Sequence, residues 1–334
     1  MGDFKSNWIR VTSGVPQGSV LGPLLFILFI NDLPSRIANL SKIYADDNKI
    51  LSVVNNHLER DILQNDIDNT TNWTNENCLT LNGDKCKIIH YGSSNNNFEY
   101  NLIINNNHTI LKSDRHEKDV GIIFTNDLKF SNHIDQIVNK SYRILGLLIN
   151  TFNQIDLDTY RTLYCSFVRP LLEFAAPVWN PYMQKDIDKL ERVQRKATKL
   201  APGLKNLCYE DRLKILRLTT LEERRRRGDL IQIFKIVKGF DVVNWHKPLR
   251  FFREQTGHTS SINTRGHHLK FSRDNFKINC RHHFFTNRVA NAWNSLPTDC
   301  VETNSLDLFK SKIDNLYERY GTYEYNTNRI AREA

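Results

Sequence analysis

The chain has no CxxC pair. Its six cysteines stand singly at positions 78, 86, 165, 208, 280 and 300, so neither a disulfide framework nor a zinc ribbon is indicated and free thiols are expected. The nearest approach to a metal-ligand cluster is Cys280 with His282, His283 and Cys300, and its spacing matches no zinc knuckle. Long apolar runs are missing too. Residues 20–30 are too few to span a bilayer and are broken by Gly22-Pro23, so no membrane partner is expected. A bare myristoylation pattern at the amino terminus and the sequons at Asn69 and Asn72 are read as accidental, which leaves an intracellular protein, nuclear or cytoplasmic, not a secreted one. Ser, His and Asp residues occur, but no nucleophile motif accompanies them. Acids are the scarcer charge: 37 Asp and Glu stand against 46 Lys and Arg, a net charge of +9 over 334 residues, which favours a polyanionic partner. With 40% apolar residues the chain can still bury a sizeable core.

Among what is present, the segment Ile43-Tyr44-Ala45-Asp46-Asp47-Asn48-Lys49-Ile50 carries the most information. Residues 43–45 and 49–54 are short β-prone runs. Asp-Asp-Asn between them is turn chemistry, because short polar side chains bond the nearby backbone. Asp46 and Asp47 are therefore expected at a hairpin tip. Neighbouring carboxylates on a rigid hairpin make an oxygen site suited to Mg²⁺, although an isolated Asp-Asp pair is more often a solvated turn. A second segment precedes it. In SGVPQGSVLGPLLF, residues 13–26, Gly14, Gly18 and Gly22 with Pro16 and Pro23 form a loop whose backbone can approach a ligand closely. Gln17 is its polar group, and residues 24–30 read as the start of a buried helix with Pro23 in its first turn.

The loop, the INDLP that follows it and YADD, in that order, resemble the reverse transcriptases of non-LTR, LINE-type, jockey-like retrotransposons. The resemblance continues through CLTLNGDKCKIIHYG, DVGIIFTNDLKFSNHI, VRPLLEFAAPVW, LERVQRKATKL, LEERRRRGDLI and FFTNRVANAWNSLP, and so covers nearly the whole chain. It implies an α+β fold, a polymerase palm with an antiparallel sheet and helices, truncated here, followed by a mainly helical thumb. It implies that Asp46 and Asp47 are the catalytic, metal-binding acids, that Tyr44 lies just ahead of them, and that Gln17 and Gly18 contact nucleotide and template. Lys85 falls where such polymerases carry a lysine that protonates the pyrophosphate leaving group; as a bare residue it reads equally as a solvated loop lysine. Residues 119–124 resemble the strand that grips the primer end. Two Mg²⁺ ions, an RNA template, a DNA primer and deoxynucleotide triphosphates are the implied cofactors and partners.

One departure from the pattern stands out. The family's third metal-binding aspartate lies upstream of the GVPQG loop, and the single acid before Ser13 is Asp3, in a segment resembling the strand that leads into the loop. The upstream palm and fingers are thus an expected partner of this portion, and the site is expected to bind metal weakly. An RNA-directed DNA polymerase inactive alone is the leading reading. A nonenzymatic nucleic-acid-binding remnant of a mobile element is the alternative, and a protein-interaction module would need the basic residues to be incidental.

Along the chain three parts are expected: residues 1–125 as partial palm, 126–207 as thumb-like helices, and 208–334 as a mixed helical and irregular extension. An amphipathic helix is expected through Leu58, Ile62, Leu63 and Ile67. From Lys185 to Arg227 fourteen Lys or Arg meet seven Asp or Glu. A helix over 184–201 places Ile187, Leu190, Val193, Ala197 and Leu200 toward a core and Lys189, Arg192, Lys196 and Lys199 on another face. That stripe reads either as a phosphate-tracking surface or as a solvated face with Asp188–Arg192 and Glu191–Arg195 pairs. The same two readings hold for the run 224–227, where Glu222 and Glu223 can pair with Arg226 and Arg227.

Overall fold

The structure, a computed structural model, describes residues 10, 14, 15, 18–92, 95–104, 107–152, 154–245, 247–252 and 266–323. Contacts divide the chain into two units, residues 1–117 and 118–334. Helices and short strands share the first, and helices dominate the second, so the fold is α+β. Among the described residues the strands form four two-stranded ladders in place of one continuous antiparallel sheet, and the pair β3 (Lys87–Ile88) with β6 (Lys112–Ser113) is parallel.

In the first unit, α1 (Leu21–Ile30) grows from the apolar run with Pro23 in its first turn, where a missing N–H costs nothing. Phe26 and Ile30 pack with Leu33, Ile37 and Trp73 and with Ile43 and Ile50 of the hairpin. The expected burial of residues 24–30 is corrected: Leu24, Leu25, Ile27 and Leu28 stay between 48% and 66% exposed. Only one side of this short helix meets a neighbour among the described residues, and an all-apolar sequence cannot say which side that is.

Helix α2 (His57–Glu76) starts at Asn56, whose side chain accepts from Glu59 N at 2.9 Å, while the Glu59 carboxylate accepts from Asn55 N. This reciprocal cap satisfies amides that the helix itself leaves unpaired. Leu63 and Ile67 are buried as the spacing predicts, but Leu58 and Ile62 are exposed. The buried stripe instead continues through Thr71 and Thr74, because the partners Tyr100 and Leu102 lie on that side. Leu102 belongs to β4 (Asn101–Ile104), which pairs antiparallel with β5 (Asn107–Ile110). From the same helix, buried Asp66 accepts from Ala38 N at 2.7 Å, Asn39 N at 2.9 Å and Asn39 Nδ2 at 2.8 Å, fixing the entry to the hairpin.

In the second unit, α3 (Ser131–Thr151), α7 (Gln184–Leu200) and α8 (Tyr209–Ile215) enclose one cluster with a continuous helical run over 157–173, which contains a π turn at Tyr164–Val168. Leu145, Leu172, Trp179 and Leu190 are among its fully buried side chains. Helix α9 (Leu221–Val237) starts in that cluster and ends in a second, built with α11 (Phe285–Asn294) and α13 (Leu306–Tyr320) around Phe234, Trp293 and Phe309. Here α4 is Leu157–Leu163, α5 Arg169–Glu173, α6 Ala176–Trp179, α10 Asn279–His282 and α12 Thr298–Val301.

Candidate functional site

Strand β1 (Leu40–Tyr44) pairs antiparallel with β2 (Asp47–Leu51), with Tyr44 opposite Asp47 and Ile43 opposite Asn48. The loop is therefore two residues long, Ala45 and Asp46, and Ala45 takes φ 52°, a left-handed conformation unusual for a residue with a Cβ. Side chains alternate across a ladder, so this register decides which ones can meet a substrate. Ser41, Ile43, Asn48 and Ile50 share the inner face, where Ser41 Oγ donates to Asn48 Oδ1 at 2.9 Å. Lys42, Tyr44, Asp47 and Lys49 share the other, and Tyr44 is 62% exposed there. Asp46 projects from the turn, and both carboxylates are exposed.

Gln17 lies outside the described residues, as does Asp3. Gly18 is described, with φ 83°, a conformation that a side chain would strain. Lys85 is exposed in a turn, its amide donating to Asn82 O at 3.1 Å. Its neighbour Lys87 is engaged with Asp114 at 3.2 Å and Glu117 at 2.9 Å. Those two carboxylates raise the Lys87 pKa. Residues 119–124 are a hairpin and not a single strand: β7 (His116–Asp119) turns at Val120-Gly121, both at positive φ, into β8 (Ile122–Thr125). The one turn signal is Gly121, and it stands between β-branched Val120 and Ile122, so the segment reads as a single strand with a glycine in it.

Reverse transcriptases generally use Mg²⁺, and the donor chemistry of Asp46 and Asp47, two accessible carboxylates, suits a hard cation that retains water. Among the described residues, however, no three His, Cys, Asp or Glu side chains are grouped so that they could hold a metal ion. The pair fits as part of a metal cage and does not complete one, so no catalytic step is drawn through an ion.

The helix predicted over 184–201 forms over Gln184–Leu200, and Leu190, Val193 and Ala197 are buried in it. Leu200 is corrected to exposed, at 42%, and Ile187 to half-buried. Polar Asp186, Glu191, Gln194 and Thr198 are buried instead. Gln194 Nε2 donates to Tyr209 Oη at 2.9 Å and Thr219 O at 3.0 Å, and its Oε1 accepts from Tyr164 Oη at 2.9 Å. Glu191 accepts from Tyr209 Oη and from Leu221 N. Burial raises the Glu191 pKa, and burial together with the Glu191 charge raises that of Tyr209. The Glu191–Arg195 pair is therefore absent; Arg195 lies over the Tyr209 ring at 4.3 Å.

Of the four stripe cations, Lys189 is bound to Asp135 at 2.5 Å and to buried Asp186 at 3.4 Å. Arg192 donates to the Asp188 backbone carbonyl at 3.3 Å and not to its carboxylate, Lys196 lies 5.0 Å from the Tyr142 ring centre, and Lys199 is exposed. The arginine run is absorbed internally. Arg224 grips Glu173, Arg225 donates to Asn180 Oδ1 at 2.9 Å, Arg226 pairs with Glu222 and Glu223, and Arg227 pairs with Asp314 at 2.6 Å in place of the expected helix glutamates.

Comparisons to known proteins bear on the same stretch of chain. Residues 2–149 match the family model described as reverse transcriptase (RNA-dependent DNA polymerase). The matched stretch, a little under half of the chain, is thus similar to reverse transcriptases, and the relatives it resembles are polymerases of mobile elements. The chain is 25% identical over 213 residues to the RNA-directed DNA polymerase from mobile element jockey of Drosophila melanogaster, covering 60% of this chain and 23% of that protein. It is 28% identical over 206 residues to the jockey counterpart of Drosophila funebris, covering 58% and 22%. A probable RNA-directed DNA polymerase from transposon X-element of Drosophila melanogaster is 24% identical over 209 residues, covering 58% and 22%. The chain thus spans under a quarter of the length of these relatives. No solved structure matches it. No helix among the described residues is long and apolar enough to cross a membrane.

Proposed function

We propose that this chain is the carboxy-terminal portion of an RNA-directed DNA polymerase, with residues 1–125 as palm, 126–207 as thumb and 208–334 as an extension. The observation that supports this most is the register of the β1–β2 hairpin. It turns Ile43 and Ile50 inward and leaves Tyr44, Asp46 and Asp47 accessible at one end, inside the stretch that matches the reverse transcriptase family. In the complete enzyme Asp46 and Asp47 would hold Mg²⁺, which would supply charge stabilisation for phosphoryl transfer, Tyr44 would lie just ahead of them, and Gln17 and Gly18 would contact the nucleotide and template. Lys85 is the proposed proton donor to pyrophosphate. The exposed face of α7, through Arg192, Lys196 and Lys199, follows the backbone of the template–primer duplex.

Positioning and charge stabilisation supply most of the acceleration in phosphoryl transfer, and two carboxylates alone supply little of either. The chain by itself is therefore expected to bind primer–template without extending it. Primer extension with Mg²⁺ by the purified chain checks this: extension that disappears in Asp46→Ala would show the site to be complete as it stands, and failure to bind duplex at low salt would remove the polymerase reading of α7.

A further inference from the structure

Residues 270–288 hold five Lys or Arg and one Asp. Asp274 is taken by Arg250 and Arg281, and Arg288 is taken by Asp229. Arg273 has no ion pair among the described residues, and its Nε is buried without a hydrogen-bond partner. Lys277, four residues further on and next to Phe276, is exposed.

Against these cations runs a ladder of rings. Phe276 stacks on His282 at 4.3 Å and 23°, His282 meets His283 at 4.5 Å, and His283 lies flat on Tyr182 at 4.4 Å and 4°. The Arg273 guanidinium sits 5.7 Å from the Phe276 ring centre. None of the four rings belongs to the buried cluster of this region, and Phe276 is 44% exposed. A core residue would hide that ring. Tyr182, His282 and His283 are half-buried and back the exposed Phe276 ring, and an exposed ring braced from behind with cations close by in sequence is what an unpaired base and its phosphates require; a duplex keeps its base faces to itself.

We infer that Phe276, His282, His283 and Tyr182, with Arg273 and Lys277, form a platform for single-stranded nucleic acid in the extension, the bases stacking at Phe276 and the two cations meeting phosphates. The site deepens the polymerase reading by giving the extension a ligand, yet it needs no primer end, nucleotide or metal, so the two can fail separately.

The test uses the full chain and fluorescence anisotropy with short labelled single strands of RNA and of DNA, and a duplex of the same length. Phe276→Ala is expected to weaken single-strand binding roughly tenfold, the loss of about one stacked base, while duplex affinity changes little. Phe276→Trp, which keeps a stacking face, is expected to bind like the parent. The pair Arg273→Gln and Lys277→Gln is expected to lower the salt slope on single strands by roughly one unit, at about 0.7 per phosphate. The RNA and DNA arms identify which sugar is preferred. Unchanged single-strand binding in Phe276→Ala, equal losses on duplex and single strand, or equal losses in Phe276→Ala and Phe276→Trp would each overturn the assignment.

Discussion

At the scale of single residues, His133 shows how burial converts a polar side chain into a stability term. The imidazole is 1% exposed, lies edge-on to Trp179 at 5.3 Å, and accepts from Ile123 N at Nδ1, at 3.4 Å. Its proton therefore sits on Nε2, which has no partner. Burial lowers its pKa from the ordinary 6.5 to about 4. Between those values the unfolded chain binds a proton that the folded chain refuses, so the stabilisation is complete above the unfolded value and is lost as pH falls toward the folded one. The expected loss is roughly 1.4 kcal/mol per pH unit across that window, about 3 kcal/mol in all. Urea unfolding of the parent and His133→Gln at pH 7 and at pH 4.5 checks it: the parent should lose markedly more stability than the variant. Equal losses would place the acid sensitivity elsewhere.

At the scale of elements, α7 carries both a core stripe and a basic one, and only part of the basic stripe is available. Lys189 already has two carboxylate neighbours, and moving it to a phosphate would leave Asp186 buried and unpaired. Three cations then remain for a duplex. Replacing Arg192, Lys196 and Lys199 with Gln is expected to flatten the log–log salt dependence of primer–template binding by roughly two to three units, at about 0.9 per contact. Adding Lys189→Gln is expected to leave the slope almost unchanged, well short of the roughly 0.9 unit that a phosphate contact would remove. A salt titration of the parent, triple and quadruple variants distinguishes this from a solvated face, for which all three slopes would coincide. The run 224–227 teaches the same lesson more strongly, since all four arginines are committed within the unit to Glu173, Asn180, Glu222, Glu223 and Asp314. An arginine-rich stretch of sequence and an electropositive surface are different things.

At the scale of the second unit as a whole, Asp229 draws together three motifs far apart in sequence. Arg288 binds its carboxylate through two bonds of 2.8 Å and donates to Pro177 O at 2.7 Å. Asn180 donates to the same carboxylate at 3.2 Å and accepts from Arg225. The side chains of the central pair are 15% and 7% exposed, so removing one partner strands a buried charge. Asp229→Ala is expected to destabilise the unit by about 3–5 kcal/mol, and Asp229→Leu with Arg288→Met to recover part of that, because an apolar pair leaves no buried charge unpaired, although Pro177 O and the Asn180 amide lose a partner. Thermal unfolding followed by circular dichroism reads both. A single variant within about 0.5 kcal/mol of the parent would show that the network is not holding the motifs together.

The sequence by itself determined the acid hairpin, the helix over 184–200 and the likeness to reverse transcriptases, because each rests on local order: turn chemistry between β-prone runs, apolar spacing of three and four, and short strings that resemble a family. It also determined that α1 and α2 would be helices. Which side each presents to the interior was decided by the tertiary structure alone. Leu58, Ile62 and Leu200 fit an apolar stripe as well as their buried neighbours do, and only the placement of Tyr100 and Leu102, or of Tyr164 and Tyr209, selects the stripe that is covered. The fate of the charges was decided there too. Asp66, Asp135, Asp229 and Asp314 meet their partners across 27 or more residues of chain, and periodicity carries no information about a contact made at that distance.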